Sequence, residues 1–264
     1  MTMIDRGVDS AQVTALLEGL GNAEQRRVLM RFFKTAPGEY GHGDEFLGVR
    51  VPQVRQVARQ CAHLPLAEVP ALLDCRWHEV RLCGLLMMVA RFERLARKRL
   101  AYDAEAIAGR DEIVEMYVRL AHRANNWDLV DLSAPKILGH WLLLPTAIGA
   151  DAPGMNEPSN VEIIDRLSDS DNLWRQRMSV VCTWKTTQQG DPRWCLRQAE
   201  RHLHHTHDLM HKAVGWMLRE VGKRVSMDLL REFLRQHSSE MPRTTLRYAI
   251  ELMPPDERQA WLRL

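Results

Sequence analysis

The feature that most constrains this chain is an almost unbroken succession of amphipathic helical patterns from residue 51 to residue 252. Apolar residues recur there every three or four positions, whereas no convincing run alternates apolar and polar residues as a strand would. Helix starts are marked by capping residues and prolines, namely Pro65, Asp171 or Asn172, Asp191 with Pro192, Asp208 and Ser226. The pattern predicts an all-α protein.

The same periodicity predicts two helices near the amino terminus, over 10–20 and 22–34, which we expect to form a hairpin. Further helices are predicted over 51–62, 66–74, 78–95, 103–122, 125–143, 160–168, 171–187, 192–205, 208–224, 226–237 and 242–252. We therefore treat residues 1–264 as a single domain. Its first part, residues 1–50, holds the hairpin and a glycine-rich loop, and residues 51–264 form the helical array.

The spacing of the helices indicates a repeat. Taken in pairs after residue 65, the second helices begin near residues 78, 125, 171, 208 and 242. This irregular period of roughly 33 to 47 residues falls within the range of helical-repeat arrays. It predicts a curved solenoid of antiparallel helix pairs whose inner helices share one concave surface. The one break in composition, over residues 150–160, is too short to separate two domains and is predicted to be a loop between repeats.

Composition excludes several classes of protein. Hydrophobic residues make up 45% of the 264 residues, enough for a substantial core. The apolar stretch over 82–90 is too short to span a bilayer and the polar first ten residues do not resemble a signal sequence, so we expect a cytoplasmic protein without a membrane partner. Five scattered cysteines without a CxxC pair indicate reduced packing residues. Because the formal net charge is only +2, binding of an anionic polymer requires local clusters of Arg and Lys.

The loop over 35–52 is rich in glycine but does not match a nucleotide-binding loop. No predicted strand precedes it and no Gly-Lys-Ser/Thr follows, so both phosphate-loop fingerprints fail. We expect instead an ordered connection that lies near the functional site with Tyr40, Asp44 and Arg50.

The stretch RANNWDLVDLSAPK, residues 123–136, looks like part of a site. If Asn125 or Asn126 caps a helix, Trp127 and Asp131 lie one turn apart on the same face. Pro135 then removes an amide from the helix and should kink or end it. The alternative is that the tryptophan fills a core and the aspartate is solvated in the first turn, where the helix dipole favours an acid.

Two later helices carry further unusual residues. On the helix over 171–187, Arg177 shares an apolar stripe with Trp174, Val181 and Trp184. Such an arginine needs a partner, and the alternative to a ligand is an internal ion pair or a stem packed on tryptophan.

On the helix over 208–224, Trp216 lies off the apolar face and among Lys212, Arg219 and Lys223. The last helix again places Arg243 and Arg247 four residues apart. Individually these cations are typical of a solvated helix face. Because they recur on successive repeats, they are candidates to line one cationic groove at phosphate spacing.

The histidines at 202, 204, 205 and 207 do not form a metal motif. Their spacing places no two of them four residues apart on one helical face, and no cysteine or acid pair completes a zinc pattern. We predict that no metal is bound and that this segment is a polar turn between helices. No Ser, Cys or His stands in a recognisable nucleophile motif.

With these residues in view, the sequence resembles the DNA alkylation repair family, the bacterial AlkD-like glycosylases built of HEAT-like helical repeats. The resemblance runs through GHGDEFLGVRVP, NNWDLVDLSAPKI, SDNLWRQRMSV, HDLMHKAVGWMLREVGKR and MPRTTLRYAIE, in that order along most of the chain. The family's functional residues fall here on Trp127, Asp131, Arg177 and Trp216. One departure is Asn126, where some relatives carry a second tryptophan, and it bears on the lesion size that the site tolerates.

The resemblance implies a DNA glycosylase that hydrolyses the N-glycosidic bond of cationic N3- or N7-alkylpurines in duplex DNA, without metal or cofactor. It implies that Asp131 stabilises positive charge on the deoxyribose and activates water, that both tryptophans contact the sugar and backbone, and that Arg177 holds a phosphate. Lys212, Arg219, Lys223, Arg243 and Arg247 are expected to bind DNA, and we expect a monomer. The alternative function is a non-catalytic helical-repeat scaffold that binds DNA or a protein.

Overall fold

The computed structural model describes residues 9–147 and 157–263. Across these residues the regular structure is helical, and the only β pairing is an isolated bridge between Glu45 and Trp77. The prediction of an all-α protein is confirmed. Within the same residues, no helix combines the length and the apolar composition that crossing a membrane requires.

The α-helices are α1 (Ser10–Glu18), α2 (Ala23–Phe32), α3 (Val51–Gln60), α4 (Val69–Asp74), α5 (His78–Leu95), α6 (Ala104–Arg119), α7 (Trp127–Ser133), α8 (Leu138–Trp141), α9 (Glu157–Ser168), α10 (Leu173–Val181), α11 (Thr183–Gln188), α12 (Arg193–Arg201), α13 (Asp208–Arg224), α14 (Met227–His237), α15 (Arg243–Ala249) and α16 (Pro255–Arg263). Short 3-10 helices cover Leu66–Glu68, Lys98–Leu100 and Ala121–Arg123. Most predicted helices are present, with ends that differ by a few residues.

The helices stack as an array of pairs. An inner row is formed by α5, α7, α10, α13 and α15, each of which packs against the next. The outer helices α4, α6, α9 and α14 each pack against a member of that row, and α12 packs against both α11 and α13. This arrangement is the helical solenoid that the repeat spacing predicted, and it brings one face of every inner helix to a common surface.

The amino-terminal helices differ from the predicted hairpin. Helix α1 buries Val13 and Leu17 and packs against α3, α4 and α5 rather than mainly against α2. Helix α2 buries none of its own residues fully, and its exposed carboxyl-terminal Phe32 turns toward the inner surface. The segment therefore caps the array with α1 and adds α2 to the edge of the functional site.

Two predicted helices are interrupted. The helix over 125–143 ends at Ser133 and resumes at Leu138, because Pro135 cannot donate the amide that would continue it. The helix over 171–187 is broken at Cys182, between α10 and α11. Ser179 and Thr183 donate their hydroxyl groups to backbone carbonyls three residues earlier, which bends a helix.

The carboxyl-terminal helix α16 was not predicted from the sequence. Its first turn carries Asp256 and Glu257, the acidic residues favoured at a helix amino terminus. It is tied to α14 by Arg231, which donates to both carboxylate oxygens of Glu257 at 2.7 and 2.9 Å. The start signals at Pro254 and Pro255 would have identified this helix.

The loop between α2 and α3 is ordered, as expected. The buried carboxylate of Glu79 accepts the backbone N–H groups of Leu47, Gly48 and Val49 at 2.8, 2.8 and 3.1 Å. Gly48 has φ +86°, and a Cβ on it would lie 2.1 Å from the carbonyl oxygen of Asn22. The end of the loop is therefore held against both α5 and the start of α2.

Candidate active site

A cavity of about 540 Å³ opens on the inner surface, where α2, its following loop, α7, α10, α13 and α15 meet. All four residues that the resemblance marked as catalytic line it, and so do two of the predicted DNA-binding cations. Its lining consists of Phe32, Lys34, Tyr40, Trp127, Asp131, Arg177, His207, Asp208, Leu209, Lys212, Trp216, Arg219 and Tyr248.

Trp127 forms one wall of the cavity. Asn126 is the amino-terminal cap of α7, and its side-chain oxygen accepts the Trp127 backbone N–H at 2.9 Å, as the sequence predicted. The half-buried indole packs against the ring of Phe33, with centroids 5.5 Å apart, and donates its Nε1–H to the Tyr40 hydroxyl at 3.2 Å. Packing on Phe33 and the hydrogen bond to Tyr40 thus fix the orientation of the indole. Trp127 does not simply fill a core, because it also lines the cavity.

Asp131 lies one turn further along α7 and is paired with Arg177 of α10. The Nε–H and one Nη–H of the arginine donate to the two carboxylate oxygens, each at 2.8 Å. A third N–H donates to the Leu209 carbonyl at 2.5 Å. The buried arginine of the apolar stripe therefore has an internal partner, one of the two alternatives left open by the sequence.

The electrostatic environment of Asp131 opposes its charge. Burial raises the pKa of its carboxyl group, and the nearby Asp128 carboxylate raises it further. The Arg177 cation acts in the opposite direction, through both its charge and its hydrogen bonds, without reversing the shift. A carboxylate that is poorly solvated in this way gains more from an approaching cation than a solvated one does.

Trp216 of α13 also lines the cavity and is half-buried. The cations beside it are already neutralised by acids. Lys212 lies 2.7 Å from the Asp208 carboxylate, and Arg219 pairs with Glu251 of the segment after α15. Two of the three cations on the predicted basic face of α13, Lys212 and Arg219, are thus engaged in ion pairs beside the cavity.

The other predicted DNA-binding residues lie outside the cavity. Lys223 is exposed at the end of α13 and Arg247 is exposed on α15. The Arg243 guanidinium donates to the Leu262 carbonyl of α16. Helix α15 contributes Tyr248 to the lining in their place. Contact of these three cations with DNA stays a prediction.

Six lining residues were not assigned to the site from the sequence: Phe32, Lys34, His207, Asp208, Leu209 and Tyr248. His207, and not Asp208, is the amino-terminal cap of α13, since its Nδ1 accepts the Leu209 N–H at 3.1 Å. Burial lowers the pKa of this histidine. No sequence signal separates Phe32 from the other apolar residues of its helix, since Val28 and Leu29 precede it by four and three positions.

Three residues of the loop between α2 and α3, namely Tyr40, Asp44 and Arg50, were expected near the site, and the structure places each of them differently. Tyr40 lines the cavity, as expected. Asp44 is buried behind the wall, where it pairs with His78 and Arg81. Arg50 lies elsewhere, in a separate cavity of about 650 Å³ between α2 and the start of α3.

Among the residues that the structure describes, no group of three or more His, Cys, Asp or Glu side chains is placed to hold a metal ion. The histidine segment forms the predicted polar turn between α12 and α13. His202 is 2.8 Å from the Ser168 hydroxyl and His205 is 2.8 Å from the Gln176 side chain. These ring nitrogens are engaged with protein groups.

Comparison with known proteins agrees with this arrangement. A model of the DNA alkylation repair enzyme family matches residues 13–253. A solved structure, titled a predicted DNA alkylation repair enzyme from Enterococcus faecalis, shares the fold with a TM-score of 0.63 at 16% sequence identity, covering 89% of this chain and 97% of that chain. No curated protein matches the sequence. The chain belongs to the DNA alkylation repair enzyme family, which supports a role in DNA repair.

Proposed function

We propose that the chain is a monofunctional DNA glycosylase that hydrolyses the N-glycosidic bond of cationic N3- and N7-alkylpurines in duplex DNA. The observation that carries the proposal is the convergence of the Asp131 carboxylate and two tryptophans, Trp127 and Trp216, on a single cavity. Family membership supports a repair enzyme in general. The residue types around the cavity favour this particular reaction, because they suit positive charge that develops on a deoxyribose.

The reaction does not need a general acid. Glycoside hydrolysis normally uses a general acid to protonate the leaving group and a second carboxylate. An alkylated purine is already cationic, so the C1′–N bond breaks with its electron pair going to the base, which leaves neutral. Asp131 stabilises the cationic sugar and accepts a proton from the water that attacks C1′. The Asp131 carboxylate alone is sufficient for this chemistry, since the second carboxylate of the lining, Asp208, is paired with Lys212.

The tryptophans and their neighbours complete the environment of the sugar. The ring faces of Trp127 and Trp216 carry negative electrostatic potential that favours a cation. Tyr40, Phe32 and Tyr248 add further aromatic surface to the cavity. In a cavity of about 540 Å³ lined in this way, a charged nucleotide meets several aromatic side chains.

Arg177 orients the carboxylate and is available to a phosphate. Of its five N–H groups, two donate to Asp131 and one donates to the Leu209 carbonyl. The edge that faces Asp131 is occupied, so a phosphate is bound by the remaining N–H groups at the cavity wall. Arg177 then links the catalytic carboxylate to the DNA backbone.

The test is release of free 3-methyladenine and 7-methylguanine from methylated duplex DNA in the presence of a chelator. We expect release by the wild-type protein and none by Asp131→Asn, with DNA affinity nearly unchanged. Glu257→Gln is the matched control. Both oxygens of the Glu257 carboxylate accept N–H groups of Arg231, as those of Asp131 accept N–H groups of Arg177, but Glu257 lies away from the cavity. Full activity of Asp131→Asn would refute the assignment of Asp131.

The second candidate function is a helical-repeat scaffold that binds DNA or a protein without catalysis. One observation favours it: Asp131 and Arg177 satisfy each other as a structural ion pair does. Binding of DNA without base release by either protein would support a DNA scaffold. Binding of a protein partner with little dependence on salt would support a protein scaffold.

A further inference from the structure

Behind the wall of the cavity lies a buried polar network centred on His78, the first residue of α5. Its Nδ1 is 2.8 Å from the Asp44 carboxylate of the loop, and its Nε2 is 2.9 Å from the Asp128 carboxylate of α7. The ring is only 2% exposed. His78 therefore bridges the carboxylates of Asp44 and Asp128, which are 84 residues apart in the sequence.

The network encloses the backbone of Trp127. Asn126 donates its side-chain N–H to the Asp44 carboxylate at 3.1 Å, and Asp128 is held by the His78 ring. The residues immediately before and after Trp127 are thus attached to the two members of the Asp44–His78 pair. Asp131 follows within the same short helix.

The other charged groups around His78 are accounted for. Arg81, one turn along α5, pairs with Asp44 and also donates to the carbonyls of Cys75 and Arg76. Glu79 is directed to the loop amides that it binds. The rings of Phe33 and Phe46 pack on the imidazole with centroids 5.1 and 4.4 Å away, which keeps water from it.

The chemistry of the bridge demands a particular protonation state. A neutral imidazole has one N–H and one lone pair, so it can donate to only one of two carboxylates and repels the other. When both carboxyl groups are ionised, contacts at both ring nitrogens require the imidazolium form. Burial alone would lower the pKa of His78, but the Asp128 and Asp44 carboxylates outweigh it and raise the pKa to about 9.

We propose that His78 is a positioning residue, whose bridge between Asp44 and Asp128 holds Trp127 and Asp131 in the cavity wall. The catalytic part of this inference rests on the proposed glycosylase function. The structural part does not, because the orientation of Trp127 can be observed without substrate.

The structural part is tested by ¹⁹F NMR of protein labelled with 5-fluorotryptophan, with the Trp127 signal assigned by its loss in Trp127→Phe. We expect this signal to shift with a midpoint near pH 9 as His78 loses its proton. In Asp128→Asn the midpoint should lie at a lower pH, because only one of the two bridging carboxylates remains. The Trp194 signal, from outer helix α12, should not move. Tyr40→Phe must retain the transition, since the Tyr40 hydroxyl also contacts the indole. Absence of a Trp127 transition between pH 7 and 10 would overturn the proposal.

The catalytic part is tested by single-turnover base release at pH 7. We expect Asp128→Asn and His78→Gln to slow release about 10- to 100-fold, as small misplacements of reacting groups do, with the Kd for DNA changed less than about threefold. His202→Asn is the control, since His202 is an equally buried histidine outside the cavity, and it should retain the wild-type rate. A parallel loss in rate and affinity, or wild-type rates in Asp128→Asn, would overturn the role. If the wild-type protein releases no base, the proposed function fails, while the NMR transition still decides the bridge.

Discussion

Asp131→Asn removes a charge from a pair that is largely buried, so it should lower stability as well as activity. The Arg177 side chain is 6% exposed and the Asp131 side chain 19%. An asparagine can accept only one of the two N–H groups that now meet the carboxylate, and its own amide faces the other. The Arg177 cation is left without a counter-charge in a site that water hardly enters.

The expected cost follows from these exposures. Breaking one side of a fully buried pair costs about 3–5 kcal/mol, and partial exposure of Asp131 reduces this to about 2–4 kcal/mol. For a chain of this size each kcal/mol lowers the Tm by about 2–4 °C, so Asp131→Asn should melt about 10 °C lower. Replacing both residues, in Asp131→Asn with Arg177→Met, should recover much of the loss because no charge remains unpaired.

The assay is urea unfolding followed by circular dichroism at pH 7 for the wild type, both single variants and the double variant. Arg177→Met should gain stability as the pH falls, because burial keeps the Asp131 pKa above its unfolded value and the native state then binds more protons. Glu257→Gln, in the more exposed Arg231 pair, should lose less than Asp131→Asn. The coupling between the two residues would be refuted if the double variant lost as much unfolding free energy as the two single variants together, within about 0.5 kcal/mol.

Two further predictions concern packing and DNA contact. Gly215→Ala should lose about 1–3 kcal/mol in urea unfolding, because its Cβ would lie 2.5 Å from both the Thr245 carbonyl oxygen and the Tyr248 Cβ. Gly109→Ala, whose nearest neighbour is the flexible end of Leu95, should lose less, and equal losses would contradict the argument. Lys223→Gln and Arg247→Gln should each reduce the slope of log Kobs against log salt concentration by about 0.9 if each contacts a phosphate. Arg99→Gln, an exposed cation between α5 and α6, should leave the slope unchanged, and unchanged slopes in all three variants would exclude the contacts.

The local features of this protein were predictable from the sequence because they depend on neighbouring residues. The cap at Asn126 and the four-residue spacing of Trp127 and Asp131 follow from helix geometry alone. The break after Ser133 follows from the missing amide of Pro135.

The contacts between distant segments were not predictable in the same way. The partner of Arg177 is 46 residues away, and periodicity shows only that the guanidinium needs one. The carboxylate that pairs with Arg219 is Glu251, which is 32 residues away in the segment after α15, so the helical pattern of α13 alone does not show that this cation is paired. The place of Phe32 at the cavity is set by distant residues such as Trp127, whose ring centroid is 6.0 Å from that of Phe32, and no local pattern specifies this contact.

The contact between Tyr40 and Trp127 also has a consequence for folding. It joins residues 87 apart, whereas helix pairs of the array form from contacts within a few tens of residues. Loop closure over such a distance is slow compared with pairing of adjacent helices. We therefore expect the array to gain its helical content before the loop docks on α7, and the cavity wall to assemble last. Refolding followed by far-ultraviolet circular dichroism should be complete earlier than refolding followed by return of the Trp127 environment.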